Sequence, residues 1–140
     1  MAPFEPQIFG KYHLIRRIAL GGMAEIFLAK AIGAEGFRRD VVIKRILPSY
    51  SEDEAFITMF IDEARVSARL HHQNIVQILD FNRIDDSYYI AMEYVDGRDL
   101  RKVLDRGIAT KKFLTPLRVV HAVADIASGL RYAHLIRSDE

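Results

Sequence analysis

Lys44 and Glu63 are the two residues of this sequence whose placement asks for a chemical explanation. Lys44 stands in the run VVIKRIL (41–47), where strand alternation groups it with Val42 and Ile46 on an otherwise apolar face. Glu63 follows Phe60 by three residues and precedes Ser67 by four, which puts it on the inward stripe of a helix. A carboxylate there must meet a cation, because burying an unpaired charge is costly. Lys44 is the natural partner, and an ammonium held by its counter-ion is a positive point charge suited to phosphate. Upstream lies IALGGMAEIF (18–27), with the pair Gly21-Gly22. On its own it is either a hairpin turn or a loop covering phosphates.

Several elements must hold these residues. Residues 1–8, with two prolines and no periodicity, are expected to be a flexible lead-in. Tyr12 to about Ile32 reads as two strands joined at Gly21-Gly22, the glycines supplying the positive φ angles of a tight turn. GAEGFRRD (33–40) reads as a charged loop, and 41–47 as a third strand ended by Pro48. A helix is expected over 51–70, with Ser51 as N-cap, Glu54 completing a capping box, and Glu52, Asp53 and Glu54 at the positive end of the dipole. Its inward stripe is Phe56, Phe60, Ala64 and Ser67. IVQILDF and YYIAMEYV form another antiparallel hairpin. The fold class is therefore α+β: a five-stranded antiparallel sheet with one helix, then a helical part.

EYVDGRDL reads as a connector, followed by a short helix at about 98–106. A longer helix spans 115–136, with Thr115 as N-cap and Pro116 at the first helical position. Its polar stripe, Arg118, His121, Asp125, Ser128, Arg131 and on to His134, is expected to face solvent. The rest of that helix is so apolar that it should be covered on several sides, and a dimer through it is one way to do so.

The bulk numbers narrow the function. The chain has 140 residues, half of them hydrophobic, and a formal net charge of +1. That suits one globular domain and argues for no nucleic-acid or membrane partner. With no cysteine there are no disulfides or thiolate metal sites, which fits a reducing compartment. No signal peptide or membrane span is expected, so a cytoplasmic location is. His71 and His72 are adjacent, point apart on a helix and lack a third ligand nearby, so no metal site is expected there.

The ordered set resembles the protein kinase family, and within it the bacterial eukaryotic-like serine/threonine kinases. IALGGMAEIF stands where that family has G-x-G-x-x-G-x-V, and VVIK where it has V-A-I-K. DEAR carries the helix glutamate, LHHQNIV looks like L-x-H-P-N-I-V, and MEYVDG looks like the hinge between two lobes. Residues 9–95 would be the ATP-binding N-lobe, and 96–140 the end of the hinge with the first, incomplete part of the C-lobe.

The resemblance implies roles. Ile18 and Ile26 would press on the adenine. Ala19, Leu20, Gly21, Gly22, Met23 and Ala24 would form the loop over the phosphates. Lys44 would hold the α- and β-phosphates, and Glu63 would hold Lys44. Val42 would roof the adenine pocket, Met92 would be the gatekeeper, the backbones of Glu93 and Val95 would meet the adenine edge, and Asp99 would lie near the ribose. Ala19 and Ala24 replace two of the family's glycines, and Gln73 replaces its proline before Asn74. The catalytic H-R-D-x-x-x-x-N, D-F-G and A-P-E motifs do not occur in these 140 residues. Those carry the base and the Mg2+ ligands, so Mg2+ is expected only in an intact kinase. The fragment would bind ATP without transferring phosphate to its unidentified protein substrate. The competing readings are a non-catalytic nucleotide- or partner-binding module and an unrelated α+β domain.

Overall fold

The computed structural model describes residues 4–136. They fall into two compact units. The first takes the residues up to His71 together with Val76–Tyr94, and the second takes His72–Ile75 with the residues from Val95 on.

The first unit is one antiparallel sheet with a helix. Its strands are β1 (Gln7–Phe9), β2 (Tyr12–Leu20), β3 (Ala24–Ile32), β4 (Arg38–Ile46), β5 (Ile78–Ile84) and β6 (Ser87–Glu93). They lie in the order β1-β2-β3-β4-β6-β5. The helix is α1 (Glu54–Ala68). There are thus six strands rather than five. Gln7 and Ile8, expected in a flexible lead-in, pair with Leu14 and His13. Three residues are too few to show alternation in sequence, but Phe9 is 7% exposed and anchors the strand. Gly10 turns it back with φ +55°, and a Cβ there would meet Ile84 Cδ1 at 2.6 Å.

β4 begins at Arg38, inside the expected loop. Its charged start pairs with the end of β3, and Lys30 meets Asp40 at 2.6 Å. Backbone pairing there needs no apolar side chains, so the pattern hid it. The cap of α1 also differs. Asp53 accepts the N–H of Ala55 at 3.0 Å and of Phe56 at 3.3 Å, whereas the Ser51 hydroxyl donates to the Pro48 carbonyl at 2.7 Å. A carboxylate suits the positive helix end better than a hydroxyl.

Strand alternation divides the core in two. On one face Tyr12, Leu14, Phe27, Ala29, Val41, Ile43, Tyr89 and Ala91 form a buried cluster with Phe9. On the other, Ala24 and Ile90 pack with Phe60 and Ala64 of α1. The first face also carries charge. Glu25, 7% exposed, meets Arg45 at 2.6 Å and Arg17 at 3.5 Å. Asp80 accepts from Tyr12 at 3.0 Å and Tyr89 at 3.3 Å, and pairs with Lys11 at 2.7 Å. Burial pushes the Asp80 carboxyl up, but the hydrogen bonds from Lys11 and the two tyrosines outweigh it and hold the carboxyl below its usual value.

The second unit holds α2 (Leu100–Thr110) and α3 (Pro116–Leu135). α2 begins and ends later than the expected 98–106, because Asp99 caps its start and Lys111, at φ 55°, closes its end. α3 starts as expected, with Thr115 accepting the Arg118 N–H. Its polar stripe is not a solvated face where it meets residues 72–75. Asn74 Nδ2 donates to the Asp125 carbonyl at 2.8 Å, and Ser128 Oγ lies 3.3 Å from His72 Nε2. Gly129 is buried against Asn74 and Ile75, and the rings of His72 and Tyr132 are 5.2 Å apart. The apolar side chains of α3 are the exposed ones: Val120 is 62% and Val123 58% exposed. Nothing in the structure supports a dimer through them.

Candidate functional site

β4 delivers Lys44. Its register places Lys44 between Ile26 of β3 and Ile90 of β6, on the face that packs against α1. Phe60 and Ala64 seat α1 on that face, and Glu63 lies between them in sequence. The Lys44 ammonium reaches both carboxylate oxygens of Glu63 at 2.6 Å and lies 5.7 Å from the centre of the Phe60 ring. Two of its three donors are thus engaged, and the third is free for an anion.

The expected pair forms, but not for the reason of burial. The Glu63 side chain is 49% exposed and that of Lys44 is 23% exposed. Water screens such a pair, which contributes about 0–1 kcal/mol. The sheet and helix therefore need this pair little.

Between β2 and β3 the chain turns at residues 21–23, closed by Gly21 N–H donating to the Ala24 carbonyl at 2.8 Å. Leu47 N–H donates to the Met23 carbonyl at 2.9 Å and ties the turn to the end of β4. The expectation of positive φ at Gly21 and Gly22 does not hold, since the glycines in that region are Gly10 and Gly36. A Cβ on Gly22 would meet nothing within 4 Å. Neither strain nor packing inside the chain requires a glycine there. Ala24, in place of a glycine, is 8% exposed and belongs to the cluster with Phe60 and Ala64, so its methyl is part of the core.

A cavity of about 290 Å³ lies beneath this turn. Residues 19 to 24, Ile26, Lys44 and Glu63 all line it. Ile46, Phe56, Met59 and Phe60 line it too. The signal for Ile46 was its place on the Lys44 face, and for Phe56 and Phe60 the α1 stripe; each had been assigned to core alone. Met59 is 51% exposed and had no signal.

The other expected residues stand outside that lining. Ile18 is 43% exposed on β2. Val42 pairs with Leu28 and Met92, and Met92 packs against the α1-side cluster. Glu93 donates its N–H to the Gln77 carbonyl at 3.0 Å, and its carboxylate accepts from Gln77 N–H at 2.9 Å. Val95, in the second unit, is 64% exposed. Asp99 caps α2, accepting the Lys102 N–H at 2.8 Å and pairing with the Lys102 ammonium at 2.7 Å. Those bonds hold its carboxyl below the usual value.

Among the described residues no cluster of three potential metal ligands occurs, and no helix is long and apolar enough to cross a membrane. His72 Nδ1 accepts the Asn74 N–H at 3.0 Å, so its other nitrogen carries the proton toward Ser128. The site thus offers a caged ammonium and a bare backbone turn at a largely apolar cavity, which suits an anionic group on an apolar body.

The family model of the protein kinase domain matches residues 12–137. A tyrosine-protein kinase, MasK of Myxococcus xanthus, is 50% identical over 91% of this chain and 20% of its own. The serine/threonine-protein kinase PrkC of Bacillus subtilis is 38% identical over 91% of this chain and 19% of its own. The chain thus spans about a fifth of the length of these relatives. The crystal structure of the Mycobacterium tuberculosis PknI kinase domain superposes with a TM-score of 0.66 at 32% identity, covering 90% of this chain and 48% of that one.

Proposed function

Because the chain belongs to the protein kinase family, we propose that the cavity beneath residues 19–24 binds the phosphates of ATP. The observation that carries this reading is the Lys44 ammonium, gripped by both Glu63 oxygens at 2.6 Å in the wall of that cavity. Lys44 supplies the positive charge, and Glu63 fixes its place. The turn offers backbone N–H groups, and Gly22 leaves room for a ligand to approach them. Ile26 and Val42 are the apolar surface proposed for the base. Any contact from the Glu93 backbone has to use its carbonyl, since its N–H is committed to Gln77.

ATP, when bound, supplies the phosphoryl group that the whole protein would transfer to serine or threonine hydroxyls. A cytoplasmic location goes with that reading. The name of the 50% identical relative favours a second reading, a tyrosine hydroxyl. Phosphoamino-acid analysis of substrate labelled by the whole protein separates the two. The H-R-D and D-F-G motifs are not among these 140 residues. The fragment is therefore expected to bind nucleotide without turnover and to hold no Mg2+ of its own.

Titrating the 140-residue chain with a fluorescent ATP analogue tests the site. Lys44→Ala should weaken binding about tenfold or more, the effect of losing a charge-assisted contact of roughly 1.5–3 kcal/mol. Equal affinity in Lys44→Ala and the parent chain would remove the assignment. Turnover of labelled ATP by the fragment above the Lys44→Ala background would overturn the prediction of inactivity.

A further inference from the structure

The second unit carries a concentration of charge that nucleotide binding does not use. From Arg98 to Lys112 six cationic residues stand against two aspartates, a net charge of +4 in a chain whose total is +1. The cations are not spread evenly. Lys102, Arg106 and Thr110 follow one another at intervals of four and form a single row on α2, while Arg98 stands just before the Asp99 cap, its guanidinium donating to the Gly97 carbonyl at 2.9 Å. Lys111 takes the left-handed conformation, and Lys112 N–H then donates to the Gly107 carbonyl at 3.1 Å. This turn brings Lys112 back beside the row. Gly107 permits it, since a Cβ there would meet the Lys112 carbonyl at 3.1 Å.

The result is a groove of about 680 Å³ lined by Arg98, Lys102, Arg106, Thr110 and Lys112, with Val103 and Gly107 among them. Its charges are poorly compensated. Lys102 pairs with Asp99 at 2.7 Å, in an exposed pair that water screens. Arg106 and Lys112 have no acidic partner among the described residues. The other aspartate of α2, Asp105, pairs with Arg101 at 3.1 Å, off the row. Like charges four residues apart oppose helix formation, so the row is not what helix stability alone selects.

We propose that this groove docks an acidic protein segment in extended conformation. Residues four apart on a helix are separated by about 6 Å along its axis. Alternate side chains of an extended chain lie about 6.6 Å apart on one face. A segment with a carboxylate at every second position can therefore place successive charges against Lys102 and Arg106, with Arg98 at one end of the groove and Lys112 at the other. Thr110 and the exposed backbone near Gly107 add polar contacts. The charge here is local, so the small net charge of the chain does not argue against it. The proposal is independent of the ATP reading.

The probe is a fluorescein-labelled peptide of six Ser-Glu repeats, titrated with the 140-residue chain at low salt and followed by anisotropy. Saturable binding is expected, with affinity falling steeply as salt rises. The double reversal Lys102→Glu/Arg106→Glu should weaken it about tenfold or more. Arg101→Glu, a charge reversal off the row, should change it less than threefold, and Lys44→Ala should leave it unchanged. Circular dichroism melts confirm that each variant is folded. Equal weakening by Arg101→Glu would overturn the row in favour of bulk charge. No saturable binding of the peptide would overturn the proposal. So would tighter binding to single-stranded oligonucleotide or to phosphatidylserine vesicles, because those occupants are different in kind.

Discussion

Lys44 and Arg45 are neighbours on one strand, and their fates are opposite. Arg45 points into the face that carries the larger cluster, where it meets Glu25 directly across the register and lies over the rings of Phe9 and Phe27 at 5.3 and 5.0 Å. Lys44 points to the α1 face and meets a half-exposed carboxylate at the wall of a cavity. One ion pair is enclosed and serves the fold. The other is open, contributes little to stability and leaves a donor to spare. The difference teaches that the chemistry sits where stability does not need the charge, so the two can be separated by mutation.

The largest effect should come from the enclosed pair. Glu25→Ala leaves Arg45 without its enclosed carboxylate, and urea unfolding should show a loss of about 3–5 kcal/mol. A loss below about 1 kcal/mol would mean that water reaches this pair as easily as the other. Next comes Asp80 on the same face. Its carboxyl is held down in the folded state, so its contribution is present at neutral pH and is lost as pH falls below about 4. Asp80→Asn should cost about 1 kcal/mol at pH 7, the net worth of a typical hydrogen-bonded contact. The two unfolding curves should converge as pH falls through the lowered value of the folded carboxyl, and a gap that stays constant on acidification would assign the effect to packing instead.

Lys44→Ala should change stability by no more than about 1 kcal/mol while it weakens nucleotide binding about tenfold or more. Unfolding as severe as that of Glu25→Ala would erase the distinction between the faces. The smallest effect is expected at Gly22. A methyl there meets nothing, so Gly22→Ala should shift stability by less than about 0.5 kcal/mol. Its nucleotide affinity should nonetheless fall several-fold, and unchanged affinity would show that Gly22 is merely part of a turn.

The second unit differs in kind. Every buried hydrophobic side chain of the described residues lies in the sheet unit, whereas the buried residues of α2 and α3 are Gly107 and Gly129. The cap at Thr115 was legible in sequence, whereas Asp99 had been weighed for the ribose and the helix expected to start at about 98. The polar stripe of α3 misled, because Asp125 and Ser128 meet His72 and Asn74 far away in sequence, and periodicity reports only which residues share a face, not what covers it.

Alternation, capping residues and the spacing of Lys44 to Glu63 determined, before any coordinates, that a strand-borne ammonium would meet a helix-borne carboxylate under a glycine turn. These are local properties, set by periods of two and 3.6 residues. Which carboxylate would be enclosed was not local. Glu63 was expected to be buried and Glu25 carried no signal, yet Glu25 is the enclosed one. Register across β3 and β4 put Glu25 against Arg45 on the closed face, while α1 left Glu63 half in water. Burial depends on what packs over a residue, and that is decided only when strands and helix come together.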